Sequence, residues 1–156
     1  ILLTIYYYYS IKMVVGSCFC GKVRVEYNGQ PLTTALCHCL DCRKITGSLF
    51  TFSLLVQTAE LEISGNPKEI AKTSDSGNTI KNYFCPDCGT PLFGHKIKPN
   101  GDPNEVTVVR AGIFDDVEML NEGKPQVEVF AKRRVKWVCP VEGATQVDGM
   151  LPIPSV

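Results

Sequence analysis

Along the chain, hydrophobic and polar positions fall into short two-residue alternations cut by Gly, Pro and Asn. This is the pattern of half-buried strands joined by tight turns. Val23–Tyr27 alternates cleanly and stops at the Asn28-Gly29 turn signal. A Phe-, Leu- and Thr-rich run over Leu49–Val56 predicts a strand, and Leu61–Ser64 predicts another that ends at Gly65-Asn66-Pro67. Glu69–Thr73 and Thr79–Phe84 predict two more on either side of Ser74–Asn78. Glu105–Ile113, with Val-Thr-Val-Val-Arg inside it, follows a turn at Pro99–Pro103, and Val127–Phe130 alternates again. Helical spacing is confined to Asp115–Asn121 and Cys39–Thr46. With no internal repeat or low-complexity linker, the expectation is a mainly β chain with short helical turns, one domain over residues 13–156.

Residues 1–12 do not share this pattern. Tyr6–Tyr9 have neither helical nor strand periodicity, and Met13-Val14-Val15-Gly16 reads like a start. The segment is expected to be a non-native or disordered extension without function. The apolar stretch Ile1–Val15 is interrupted by Thr4, Ser10 and Lys12 and falls short of the ~20 residues of a membrane span.

Composition narrows the function classes. At 156 residues the chain is long enough for one core. Lys plus Arg and Asp plus Glu both total 16, so the net charge is zero, which argues against nucleic-acid and anionic-membrane partners. Hydrophobic residues at 44% and charged residues at 21% argue against disorder. The 8 cysteines are the unusual feature. No basic segment precedes an apolar core and small-residue cleavage site, so the expected compartment is the reducing cytoplasm. There, closely spaced cysteines are expected to ligate metal rather than form disulfides.

All but Cys139 fall into three tight groups: Cys18-Phe19-Cys20-Gly21, Cys37-His38-Cys39-Leu40-Asp41-Cys42, and Cys85-Pro86-Asp87-Cys88-Gly89. Zinc takes tetrahedral thiolate ligands, and a short turn delivers two of them to one ion. Gly21 and Gly89 let those turns close, and Pro86 stiffens the second. The natural division joins Cys18 and Cys20 with Cys85 and Cys88 in a closed site, worth on the order of 10 kcal/mol of folding energy when zinc is bound. Cys37, Cys39 and Cys42 remain as three ligands, the number a catalytic zinc keeps beside an open position. The alternative is that Cys139 or His38 completes this set and both ions are structural.

These motifs, with Arg43-Lys44, Gly47-Ser48 and Thr90-Pro91-Leu92 beside them, resemble the glutathione-dependent formaldehyde-activating enzyme family, which includes the centromere-protein-V-like proteins. The resemblance runs from about Met13 to Arg134…Trp137. It implies a zinc-bearing β-tent fold, a structural zinc on Cys18, Cys20, Cys85 and Cys88, and a catalytic zinc on Cys37, Cys39 and Cys42. It also implies a carbon–sulfur lyase that joins or separates a thiol and an aldehyde, with glutathione as co-substrate and formaldehyde or another aldehyde as partner. The zinc would act either on the aldehyde oxygen or on the glutathione sulfur. The competing reading is a non-catalytic glutathione carrier or a zinc-stabilised protein-binding module. Neither reading fixes the oligomeric state.

Other side chains are assigned around this frame. His38, between two ligands, is the candidate proton relay or partner of a thiolate. Arg43, Lys44 and Arg134 are candidate contacts for glutathione carboxylates, although Arg43 and Lys44 also suit the simpler task of offsetting thiolate charge. His95 is a candidate for the open zinc position. Lys132, Arg134 and Lys136 would share one face of a strand, with Trp137 in the core. Cys139 reads as an ordinary thiol, and Ser48 has no His–Asp partners that would make it a hydrolase nucleophile.

Overall fold

The computed structural model describes residues 13–74 and 77–151. The extension expected over residues 1–12 lies outside them. In chain order the elements are β1 (Val14–Ser17), β2 (Arg24–Tyr27), β3 (Thr33–Cys37), α1 (Leu40–Thr46), β4 (Thr51–Gln57), β5 (Leu61–Ser64), β6 (Lys68–Thr73) and β7 (Thr79–Phe84). There follow β8 (Pro91–Ile97), β9 (Pro103–Arg110), α2 (Val117–Glu122), β10 (Val127–Val129) and β11 (Thr145–Val147). The mainly β expectation holds. β1, β2 and β5 form a three-stranded sheet in that order, and the rest form an eight-stranded sheet ordered β11-β10-β3-β4-β9-β8-β7-β6. Pairing from β3 through to β6 is antiparallel, whereas β10 lies parallel to both β3 and β11.

Register sorts the large sheet into two faces. Cys37 lies opposite Thr51, Ser53 opposite Arg110, Val108 opposite Gly94, and Gly94 opposite Asn82. Because successive side chains point to opposite sides of a strand, Cys37, Thr51, Ser53, Arg110 and Asn82 share one face. Leu54, Val109 and Phe93 are aligned on the other. There they pack with Val25 and Tyr27 of the small sheet, and with Cys18 and Cys85, in the larger core. A second core on the Cys37 face joins Ala35, Leu55, Val106, Val127 and Val129. Each cysteine group therefore adjoins its own core.

The structure adds β1, β3, β8 and β11, which short or irregular sequence had hidden. β8 is the clearest case. Pro91 opens it, where a missing N–H is tolerated, and Gly94 sits where a Cβ would meet the Asn82 Oδ1 atom at 2.6 Å. Another strand stops earlier than predicted, since β9 ends at Arg110 and Ala111–Ile113 form a 3-10 turn. The basic run corrects the strand reading outright. Phe130 adopts a left-handed conformation (φ 55) that ends β10, and Ala131–Arg133 wind into a 3-10 turn. Trp137, expected in the core, is 75% exposed beyond this turn.

Candidate metal centres

Two short turns of similar build make the four-cysteine centre. In the first, between β1 and β2, Gly21 N–H bonds to Cys18 C=O at 2.9 Å. In the second, between β7 and β8, Gly89 N–H bonds to Cys85 C=O at 2.8 Å. Both glycines have positive φ, 76° and 75°, which is the conformation that closes such a turn. Val23 N–H donates to Cys18 Sγ at 3.3 Å, and Phe19 N–H reaches across to Thr90 Oγ1 at 3.1 Å. Lys22 and Asp87 pair at 2.7 Å between the turns.

The sulfurs of Cys18, Cys20, Cys85 and Cys88 all lie within 4.8 Å of one another. A zinc ion bonded at about 2.3 Å in a regular tetrahedron holds its sulfurs about 3.8 Å apart. Here Cys18 and Cys20 are separated by 3.6 Å, and Cys20 and Cys85 by 3.7 Å. The residues fit the ion.

Electrostatics in the cluster agree with that fit. Hydrogen bonds from the Thr90 side chain and backbone bring Cys88 down to about 5. Cys18 is also lowered: burial opposes its thiolate, but the Val23 N–H and neighbouring thiols outweigh it. Cys20 accepts a favourable backbone bond at Lys22, yet desolvation and the adjacent sulfurs push it up to about 12. Thiols this close cannot all ionise together unless a cation neutralises them.

The three-cysteine centre is built on one strand end and one helix start. Cys37 closes β3, Cys39 caps the N-terminus of α1, and Cys42 lies in its first turn, donating its N–H to Cys39 Sγ at 3.3 Å. These sulfurs too lie within 4.8 Å of one another. Thr51 ties the helix to β4 by donating to Cys42 C=O at 3.3 Å. The thiols divide sharply. Hydrogen bonds from Cys37 and Cys39, and to a lesser degree the charge of Arg110, hold Cys42 at about 3. Cys37 is driven far upward by hydrogen bonding to Cys39 and Cys42 and by burial. Cys39 is raised as well: its bond with Cys37 favours the thiolate, but Cys42 and burial outweigh it.

Arg110 was not singled out by sequence. It is 8% exposed, and its guanidinium donates to Ser53 Oγ at 3.3 Å and Asn82 Oδ1 at 2.9 Å, while its buried Nε has no hydrogen-bond partner. The available signal was a charged residue inside an apolar strand pattern.

The remaining candidates separate. His38 is 1% exposed and donates from Nε2 to Glu128 Oε2 at 2.8 Å, on the sheet side opposite Cys37. Glu128, fully buried, also accepts from Arg134 at 2.8 Å and from Val141 N–H. Despite its burial, those bonds hold its carboxyl down at about 2. Arg134 donates further to Gln146 at 2.7 Å, so it belongs to this internal network. Arg43 and Lys44 line a shallow depression beside α1 with Leu40, Gly47, Ser48 and Leu49. His95 sits near Tyr83, 3.5 Å from its hydroxyl, on the face away from Cys37. Cys139 is exposed and belongs to neither cluster.

A family model, the glutathione-dependent formaldehyde-activating enzyme, matches residues 13–133. The chain belongs to this family. Among curated relatives it is 34% identical to a Penicillium rubens protein over 79 residues, covering 49% of this chain and 41% of that one. With an Emericella nidulans protein it shares 31% over 77 residues, covering 49% and 39%. Both relatives carry the family's name provisionally, and the chain spans about two fifths of their length. A crystal structure of a Rhodobacter sphaeroides protein shares the fold, with a TM-score of 0.51, 21% identity, and coverage of 71% of this chain and 96% of that one.

Proposed function

We propose that this family member is a zinc-dependent carbon–sulfur lyase acting on thiol–aldehyde adducts, with glutathione as the thiol and formaldehyde or another small aldehyde as the carbonyl partner. The observation that carries the reading is the pairing of a four-sulfur centre with a three-sulfur one: four protein ligands close a zinc site, and three leave a position for a reactant. In the forming direction the thiol sulfur bonds to the aldehyde carbon, the carbonyl π bond opens, and the thiol proton ends on the new hydroxyl oxygen. The breaking direction reverses each of these changes.

Zinc bound at the second centre supplies Lewis acidity and favours thiolate over thiol. Cys37, Cys39 and Cys42 hold it. Arg43 and Lys44, at the depression beside α1, offer cationic partners for glutathione carboxylates. His38 acts from behind the cysteine turn, where its bond to Glu128 fixes the backbone between Cys37 and Cys39. This is a positioning role rather than proton transfer to a reactant.

Calorimetric titration of glutathione, run beside an assay of S-hydroxymethylglutathione formation and breakdown, tests the reading. Saturable binding together with rate acceleration is the expected result. Binding without acceleration would leave a carrier, and a stable protein partner with no thiol affinity would leave a binding module.

A further inference from the structure

A buried arginine calls for a counter-charge, because a cation withdrawn from water is costly when only neutral groups surround it. The hydrogen bonds of Arg110 run to a serine hydroxyl and an amide oxygen, both neutral, and its Nε is buried without a hydrogen-bond partner. The residues aligned with Val108–Arg110 on β4 and β8 are Ser53, Leu54, Leu55, Phe93 and Gly94, none of them acidic. The Asp41 carboxylate of α1, over the same face, is paired with Lys72 of β6, and the three thiols supply further anionic character there. Arg110 pairs in register with Ser53, which stands two residues from Thr51, and Thr51 pairs with Cys37 while bonding the carbonyl of Cys42.

The arginine is also held in place. Asn82 is nine-tenths buried and presents its Oδ1 to the guanidinium at 2.9 Å. It fits there because position 94 on the adjacent strand is glycine: a Cβ would come within 2.6 Å of that oxygen. The charge is fixed by a packed arrangement rather than carried on a mobile surface side chain.

A divalent zinc held by three thiolates has a net charge of minus one, and a thiolate as fourth ligand makes it minus two. A neutral fourth ligand adds nothing. In a site with restricted solvent, a fixed cation therefore favours the anionic ligand over the neutral one. We propose that Arg110 is a specificity-determining residue of the three-cysteine centre, a buried counter-charge that makes its open position prefer a thiolate to a neutral ligand. This rests on the open-zinc reading above and deepens it, because it selects the thiol sulfur as the group taken up.

The test uses the full chain with cobalt replacing zinc, so that sulfur-to-metal charge-transfer absorption reports each ligand. The probes are 2-mercaptoethanol, a thiol without carboxylates for Arg43 or Lys44 to bind, and imidazole, a neutral ligand. Compared with wild type, Arg110→Gln is expected to weaken thiol binding at least tenfold and imidazole binding less than twofold, with Arg110→Lys recovering most of the thiol affinity. Retention of the four-cysteine metal verifies folding. Equal weakening of both ligands would reduce Arg110 to a structural role and overturn the proposal, as would unchanged thiol affinity. If Arg110→Gln does not fold, Arg110→Lys decides: a thiol-over-imidazole preference within threefold of wild type supports the proposal, and a lost preference overturns it. A wild-type chain that binds one metal only, at the four-cysteine centre, would instead overturn the open-zinc reading itself.

Discussion

The two cysteine centres use the same ligand atom and differ in what surrounds it. The four-cysteine centre joins turns that are distant in sequence, the β1–β2 turn and the β7–β8 turn, and two of its sulfurs belong to the larger core. The three-cysteine centre draws all its ligands from residues 37–42 and rests on a sheet face that carries a buried arginine. A metal in the first ties together segments distant in sequence that are otherwise joined by packing, one hydrogen bond and one exposed ion pair, so its binding energy is folding energy. A metal in the second spans a strand end and a helix start that neighbouring hydrogen bonds already hold. The same donor can thus serve architecture in one place and chemistry in another, according to sequence separation and unused coordination.

The largest effect that sharpens this comparison is on folding. Cys88→Ala removes a ligand from the tie, and the variant is expected to fail to fold or to melt more than about 15 °C below wild type. Cys39→Ala is expected to stay folded and lose thiol-ligand chemistry. Thermal denaturation followed by circular dichroism, with elemental zinc counts on both variants, makes the check. An equal loss of stability in the two would break the comparison and make both centres structural.

Chelation separates the centres without substrate or mutation. Three protein ligands leave a position at which a chelator can enter before any thiolate departs, whereas four ligands give it no such entry. Reduced, metal-replete protein is expected to hold two zinc ions and release them in two stages. The first should remove thiol binding while far-ultraviolet dichroism stays near its starting value, and the second should coincide with unfolding. Simultaneous release of both ions with the fold would contradict the division.

How much of this was legible in the chain depends on the range of the cause. The cysteine groups, Gly21 and Gly89 are local chemistry, and their spacing alone indicated two centres. β5 and β7 were bounded by turn residues and match their predicted limits. What escaped was set by neighbours far along the chain. Val127–Phe130 alternates as if Glu128 faced water, but Glu128 lies fully buried because the segment 134–141 folds over it. His38 looked like a relay because it stands between two cysteines. Strand alternation turns it to the other side of the sheet, where its partner comes from 90 residues away. Arg110 stood unremarked inside the strand predicted over Glu105–Ile113, and only strand order brings it to the face that carries Cys37.

That hidden carboxylate gives an intermediate effect. The Glu128 carboxyl, normally near 4.5, is held at about 2, so the folded state favours its ionised form. Its contribution is complete above the unfolded value and is lost as pH falls from about 4.5 toward 2. Glu128→Gln is expected to destabilise the protein at pH 7 by about 2 kcal/mol. Urea denaturation at a series of pH values should show the gap between wild type and variant narrowing below pH 4.5. A gap that stays constant to pH 2 would mean that shape rather than charge accounts for the loss. Zinc at the four-cysteine centre should be retained in the variant at pH 7, because Glu128 lies behind the other centre.

The smallest expected effect concerns the exposed ion pairs beside each centre. Lys22 and Asp87 join the two turns of the four-cysteine centre at 2.7 Å, with side chains 67% and 50% exposed. Lys72 of β6 pairs with Asp41, which lies between Cys39 and Cys42. Exposed pairs contribute little to stability because water screens the attraction and long side chains lose freedom in making it. Lys22→Ala and Lys72→Ala are each expected to move the melting temperature by no more than about 2 °C. Their zinc kinetics should differ. In Lys22→Ala, four sulfurs still close the coordination sphere, so both release rates should match wild type. In Lys72→Ala, the first turn of α1 loses a tether at the centre that already has an open position. The early zinc should then leave a chelator assay about two- to threefold faster, and the late zinc at an unchanged rate. Faster release of the late zinc from Lys22→Ala would show that charge, rather than the fourth sulfur, keeps the closed centre closed.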